Sequence, residues 1–193
     1  MDERIAEAPA EIDPEIIDDF EEFVEQFSKE SHRAIIILGG AKIDEQLQRL
    51  LSATFVESIG REDELLEGDS PLSSFSARII TCYRLGLINK DFFNMLHLLR
   101  KIRNDFAHKV KIRIDQPPNR DKVHSFIDVI KVTETFSDVK SVYFPDSDDL
   151  VTDFIISICV LVLLIEKKIQ NAQRYNGFNA LTLDIPKNDH GNL

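Results

Sequence analysis

The stretch Asn89-Lys90-Asp91-Phe92-Phe93-Asn94-Met95-Leu96-His97-Leu98-Leu99-Arg100-Lys101-Ile102-Arg103-Asn104-Asp105-Phe106-Ala107-His108 decides the fold of this chain. Phe92, Met95, Leu96, Leu99, Ile102 and Phe106 recur at steps of three and four, which places them on one face of an α-helix. Asn89, just ahead of the first of them, is an N-cap residue. A long helix with one oily stripe needs other elements to cover it, and the flanking sequence supplies more helices. Upstream, Asp13 caps a helix with Pro14 at its first position and Ile16, Ile17, Phe20, Phe23, Val24 and Phe27 as its stripe. Ser31 opens another, to about Val56, with Ile35 to Leu38, Ile43, Leu47, Leu50 and Leu51 inside. Gly39-Gly40 interrupts it and reads as close helix packing or a kink, because no G-x-x-x-x-G-K pattern surrounds the pair. Glu62 to Asp69 is an acidic loop, and Ser74 to Leu85 is a short helix closed by Gly86.

Downstream, Gln116-Pro117-Pro118-Asn119 is a break, followed by a helix near Asp121 to Val132. An irregular segment runs on through Pro145; the alternative there is a small extended piece using Val139, Val142, Tyr143 and Phe144. The last long helix starts at Ser147 or Asp148 and reaches about Tyr175. Its apolar run, Phe154 to Ile165, falls short of the roughly 20 residues that span a bilayer, so it reads as a buried core helix rather than a membrane segment. With 43% hydrophobic residues in 193, few Gly or Pro and no Trp, the expectation is all-α: a single compact bundle of about five to seven helices. Its limits are residues 13–175, between a flexible acidic lead (1–12) and a polar tail (176–193).

Charge is unevenly placed. The net charge is −11, yet the first thirty residues hold twelve Asp/Glu against Arg4 and Lys29, which leaves the rest nearly neutral. That balance gives no general attraction to DNA, and no helix-turn-helix with a basic second helix is evident. Within it, Arg100 to Arg113 is a basic island of six Lys/Arg against Asp105 alone. Arg100, Lys101, Arg103, His108, Lys109, Lys111 and Arg113 are therefore the candidates for binding a partner or an anion. Cys82 and Cys159 are isolated and read as buried thiols of a cytoplasmic protein. The N-terminus lacks the order of a signal peptide. His32, His97, His124 and His190 have no spaced ligand partners, and Asp146, Asp148 and Asp149 suit a helix start better than an ion. No cofactor or metal is expected, since no nucleotide, dinucleotide or zinc-protease fingerprint is present.

The segment Gly68-Asp69-Ser70-Pro71-Leu72-Ser73-Ser74-Phe75-Ser76-Ala77-Arg78-Ile79, continuing through Tyr83-Arg84-Leu85-Gly86-Leu87-Ile88-Asn89, resembles the signature of the mannitol operon repressor family. That signature has a Gly-Asp-x-Pro-Leu loop, a Ser-x-Arg helix and a Tyr-x-Leu-Gly-x-Ile turn. Gly68, Asp69, Pro71, Leu72, Ser76, Arg78, Tyr83 and Gly86 carry the match; Ser70 and Ser73 stand where the pattern has Gly. Arg78, set between core positions, reads as an organiser of the Gly68 to Leu72 loop. The resemblance implies an all-helical transcriptional regulator that works through contacts with another regulatory protein and has no DNA-reading element of its own.

A second resemblance lies in Arg103-Asn104-Asp105-Phe106-Ala107-His108, which is similar to the Arg-polar-x(3)-His motif of HEPN domains, helical bundles that often dimerise and in some members cleave RNA without metal. It implies His108 as general acid and base, Arg103 stabilising phosphoryl charge and Asn104 orienting either phosphate or His108. On an ideal helix Asn104 and His108 share a face while Arg103 lies about 140° from His108. A two-fold homodimer would bring two copies to one cleft. The alternatives are a non-enzymatic RNA or partner site, or a structural role in which His108 and Lys109 favour the helix dipole and Arg103 pairs with the acidic loop 62–67.

Overall fold

The computed structural model describes residues 14–175, and the Asp13 cap, the lead and the tail lie outside them. Seven helices follow in order: α1 (Pro14–Ser28), α2 (His32–Thr54), α3 (Phe75–Arg84), α4 (Lys90–His108), α5 (Asn119–Ile130), α6 (Glu134–Tyr143) and α7 (Leu150–Gln170). Among the described residues there is no strand. Helices α2 and α7 make the most extensive contact and form the centre. Helices α1, α5 and α6 pack on α7, α3 and α4 pack on α2, and α3 and α5 also flank α4.

The caps are chemical stops rather than accidents of length. Ser31 Oγ accepts from Ala34 N at 3.3 Å, Ser74 Oγ from Ala77 N at 3.2 Å and Asn89 Oδ1 from Phe92 N at 2.9 Å. Helix α3 ends in a Schellman pair: Leu87 N donates to Cys82 O at 2.9 Å and Gly86 N to Tyr83 O at 3.0 Å, with Gly86 at φ +71°. That conformation is what the glycine in the Tyr-x-Leu-Gly turn supplies. Helix α7 is buried nearly all round from Asp153 to Val162, and Asp149 caps it by accepting from Val151 N at 2.9 Å and Thr152 N at 3.1 Å. No helix among the described residues is long and apolar enough to cross a membrane.

Helix α2 runs unbroken through Gly39-Gly40, with both glycines buried. A Cβ on Gly39 would come 3.1 Å from Phe27 Cζ and 3.2 Å from Ile158 Cγ1, and one on Gly40 would come 2.9 Å from Arg103 Cγ. The pair therefore lets α7 and α4 approach α2 on two sides.

One segment departs from the sequence expectation. Residues 134–143 are neither irregular nor extended; they form α6, capped by Thr133, whose hydroxyl accepts from Phe136 N at 3.2 Å. Phe136 and Val139, one turn apart, are buried in the common core, and packing on α7 outweighs the strand preference of the β-branched and aromatic residues.

Candidate functional site

The basic island straddles the end of α4, and its cations fall into two groups. Asp105 binds two lysines: Lys109 Nζ at 2.6 Å, one turn on, and Lys122 Nζ of α5 at 2.5 Å. Those two ammonium groups hold its carboxyl below the usual carboxylate range. Arg113 forms a two-pronged contact with Asp115, at 2.9 and 2.7 Å, on the exposed connection after α4. Lys109 and Arg113 are thus neutralised locally. Arg100, Lys101 and Lys111 enter no ion pair among the described residues, and Lys101 and Lys111 are exposed.

Arg103 belongs to neither group. Its stem lies across Gly40, its Nη1 donates to Asn104 Oδ1 at 3.2 Å, and its buried Nε has no hydrogen-bond partner among the described residues. Its charge is felt by Asp44 of α2. Asp44 in turn accepts from Arg78 Nη1 at 2.7 Å. Burial pushes the Asp44 carboxyl upward against the opposing pull of Arg78 and Arg103. Helices α2 and α3 are therefore joined by the Asp44–Arg78 pair, within the field of Arg103 of α4.

Arg78 also ties down the preceding loop. Its Nε donates to Leu72 O at 3.0 Å and its Nη2 approaches Leu66 O at 3.5 Å, a carbonyl that Gln48 Nε2 reaches at 3.3 Å. Gly68 turns this loop at φ +61°, Asp69 and Pro71 are exposed, Leu72 is half-buried with its N donating to Leu65 O at 3.0 Å, and Ser76 is half-buried on α3. Tyr83 packs tilted against Phe93 with ring centres 4.8 Å apart, and Phe93 meets His97 edge-on at 4.4 Å. Burial, then the charges of Arg100 and Lys101, lower the His97 pKa. This places the aromatic column beside the unpaired cations.

The end of α4 is held by a residue that the sequence reading does not single out. Arg33, in the first turn of α2, donates to Phe106 O at 2.6 Å, to Val110 O at 3.0 Å and to Lys109 O. It fills the role of helix-terminal cation that the sequence assigns to His108 and Lys109. The signal was present: an arginine in a first helical turn opposes its own helix dipole and needs a partner elsewhere. Asp44 and Lys122 likewise escape sequence reading, since their meaning lies in contacts remote along the chain, and Gly40, read as a close-packing position, finds its neighbour in Arg103. Arg103 and His108 are not brought together: the first is directed into the α2 contact, and the second is exposed at the helix end.

The sequence matches no family model and no curated protein. The fold does match: a chain of the X-ray structure of the MtlR-HPr complex from Escherichia coli superimposes with a TM-score of 0.56, over 76% of this chain and 97% of that one, at 18% sequence identity. The likeness is one of fold, and it supports a mannitol-repressor-like architecture.

Proposed function

We propose that this chain is a cytoplasmic transcriptional regulator that acts by holding another regulatory protein, with no DNA sequence reading of its own. The observation that carries this reading is the face of α4 on which Arg100 and Lys101, without an ion pair among the described residues, flank the Tyr83–Phe93–His97 column in an otherwise acidic protein. Aromatic surface beside cations is the composition of a protein interface, and the cations favour a partner with acidic groups at its rim. The matched fold comes from a complex of two proteins, which agrees with this reading. The HEPN-like alternative asks Arg103 and His108 to act on one phosphate. Within one chain they are directed apart, so cleavage would require a two-fold pair of chains to complete the site.

The test is a calorimetric titration of the purified protein with HPr from the same source, repeated with Lys101→Glu and at raised salt. Binding that weakens with both is the expected result. Incubation with structured and single-stranded RNA, beside His108→Ala, runs in parallel, and light scattering reports the mass. Metal-independent RNA cleavage that disappears in His108→Ala would replace the regulatory reading with the nuclease.

A further inference from the structure

Where α2 ends, an open groove of about 430 Å³ is lined by Thr54, Phe55, Val56, Leu65, Leu85 and Tyr175. Its walls come from three parts of the chain: the connection after α2, the turn after α3 and the segment after α7. Val56, Leu65 and Leu85 are 59%, 42% and 48% exposed there. Single exposed apolar side chains are ordinary, but several along one concave surface mark a place that something covers. Among the described residues no charged side chain lines the groove, so its occupant is recognised by apolar shape rather than by charge.

The chain itself leads into this groove. After α7, Tyr175 N donates to Thr54 O at 2.7 Å, and Arg174 pairs with Glu57. These two contacts hold the last described residues against the end of α2, with Tyr175 as one wall of the groove. The sequence continues Asn176-Gly177-Phe178-Asn179-Ala180-Leu181-Thr182-Leu183-Asp184-Ile185. Asn-Gly is a chain-reversing dipeptide. Phe178 follows three residues beyond Tyr175, a reach of about 10 Å. Phe178, Leu181, Leu183 and Ile185 set this stretch apart from the mostly polar residues that follow it.

We infer that residues 176–185 fold back over this groove and seat the Phe178 ring among Phe55, Val56, Leu65 and Leu85, as a latch between the end of α7 and the α2–α3 connection. A cavity of about 150 Å³ takes up benzene, so the groove holds the phenyl group and leaves room for Leu181 beside it. A second copy or another protein would have to bring such a ring from solution. Phe178 is tethered close by, and a short tether gives an effective concentration in the millimolar range, above that of a free competitor. The latch closes an apolar surface that would otherwise draw other chains, and it does so independently of the α4 face.

The chain has no tryptophan, so Phe178→Trp in the full chain places a single indole at the inferred contact. Its emission should lie well to the blue of the same protein in urea, at a position independent of protein concentration, and acrylamide should quench it several-fold less. Adding Leu85→Asp, at a half-exposed wall position, should return emission and quenching to the urea values while the far-ultraviolet dichroism stays unchanged. Without the indole, Phe178→Ala should speed hydrogen exchange at Tyr175 N, the amide bonded to Thr54 O, by roughly tenfold. The latch is overturned if that exchange is unchanged, if the indole is as quenchable in the folded protein as in urea, or if its protection survives Leu85→Asp. Emission that shifts with protein concentration would overturn it too, by assigning the groove to a second copy.

Discussion

Replacing Arg33 by Ala removes the guanidinium that holds the last turn of α4, and the structure sets the size of the loss. Its hydrogen bond to Phe106 O is short and charge-assisted, and Phe106 is only 2% exposed, so water replaces it poorly. Loss of that contact costs about 1.5–3 kcal/mol. The carbonyls of Lys109 and Val110 belong to exposed residues, where water takes over, and together they add about 0.5 kcal/mol. Removing a cation from the helix C-terminus adds about 0.5 kcal/mol more. The sum, about 2.5–4 kcal/mol, lowers the Tm of a chain this size by roughly 5–15 °C. Arg33→Lys keeps the charge but loses the planar fork that reaches several carbonyls at once, and should recover less than half of the loss. Thermal melts followed by far-ultraviolet dichroism give the totals, and hydrogen exchange at Lys109 N, which donates to Asp105 O, reads the last turn directly. A Tm within about 2 °C of the unaltered protein in Arg33→Ala, or full recovery by lysine, would refute the capping argument.

Asp105→Asn tests the two-lysine clamp: because the folded-state pKa is depressed, the carboxylate stabilises above its unfolded pKa and that contribution fades as pH falls through the folded value. Urea midpoints should show a loss of about 1 kcal/mol near pH 7 that shrinks as pH falls below the ordinary carboxylate range. Gly40→Val should destabilise by about 2–3 kcal/mol, since Arg103 Cβ, at 3.2 Å from the added carbon, is fixed to α4 and the helices must part. Gly40→Ala should cost less, its gain in helix propensity of about 1 kcal/mol offsetting the strain, and the order alanine above valine in urea melts is the check. Burial pushes both Cys82 and Cys159 up to about 12, so neither thiol should react with a disulfide reagent at mildly alkaline pH until the chain is unfolded.

Much of the helical framework was legible because cap and stripe agree. Ser31, Ser74, Asn89 and Gly86 each sit where the apolar repeat begins or ends, and each makes the backbone contact its chemistry suggests. Helix α6 was illegible for the opposite reason. Its Val139, Val142 and Tyr143 favour strands, its stripe is one turn long, and Pro145 follows closely; only the presence of α7 decides the matter. The start of α7 slipped from Ser147 or Asp148 to Leu150 because three nearby aspartates all have cap chemistry. Asp149 is the one whose carboxylate reaches the first-turn amides.

The island shows where a linear reading ends. Its charge excess is plain from composition, and two of its pairings, Lys109–Asp105 and Arg113–Asp115, lie within four residues and follow from helix and loop geometry. What Arg103 does is decided elsewhere. Helical geometry alone sets it well apart from His108, and the face that carries it is the face that packs on α2. A glycine at position 40 leaves room for its stem, and Asp44 supplies a carboxylate to its field. His108 lies in the final turn, where Arg33 already satisfies the carbonyls, and stays at the surface. The same helix thus packs Arg103 against α2 and leaves Ala107 and His108 exposed at its end. Any chemistry that needs both must either pull Arg103 out of its contact with α2 or recruit the second group from another chain, and Gly40→Val separates these routes. A site built within one chain would gain from freeing Arg103, whereas a site or interface that relies on the α2–α4 packing would be lost with it.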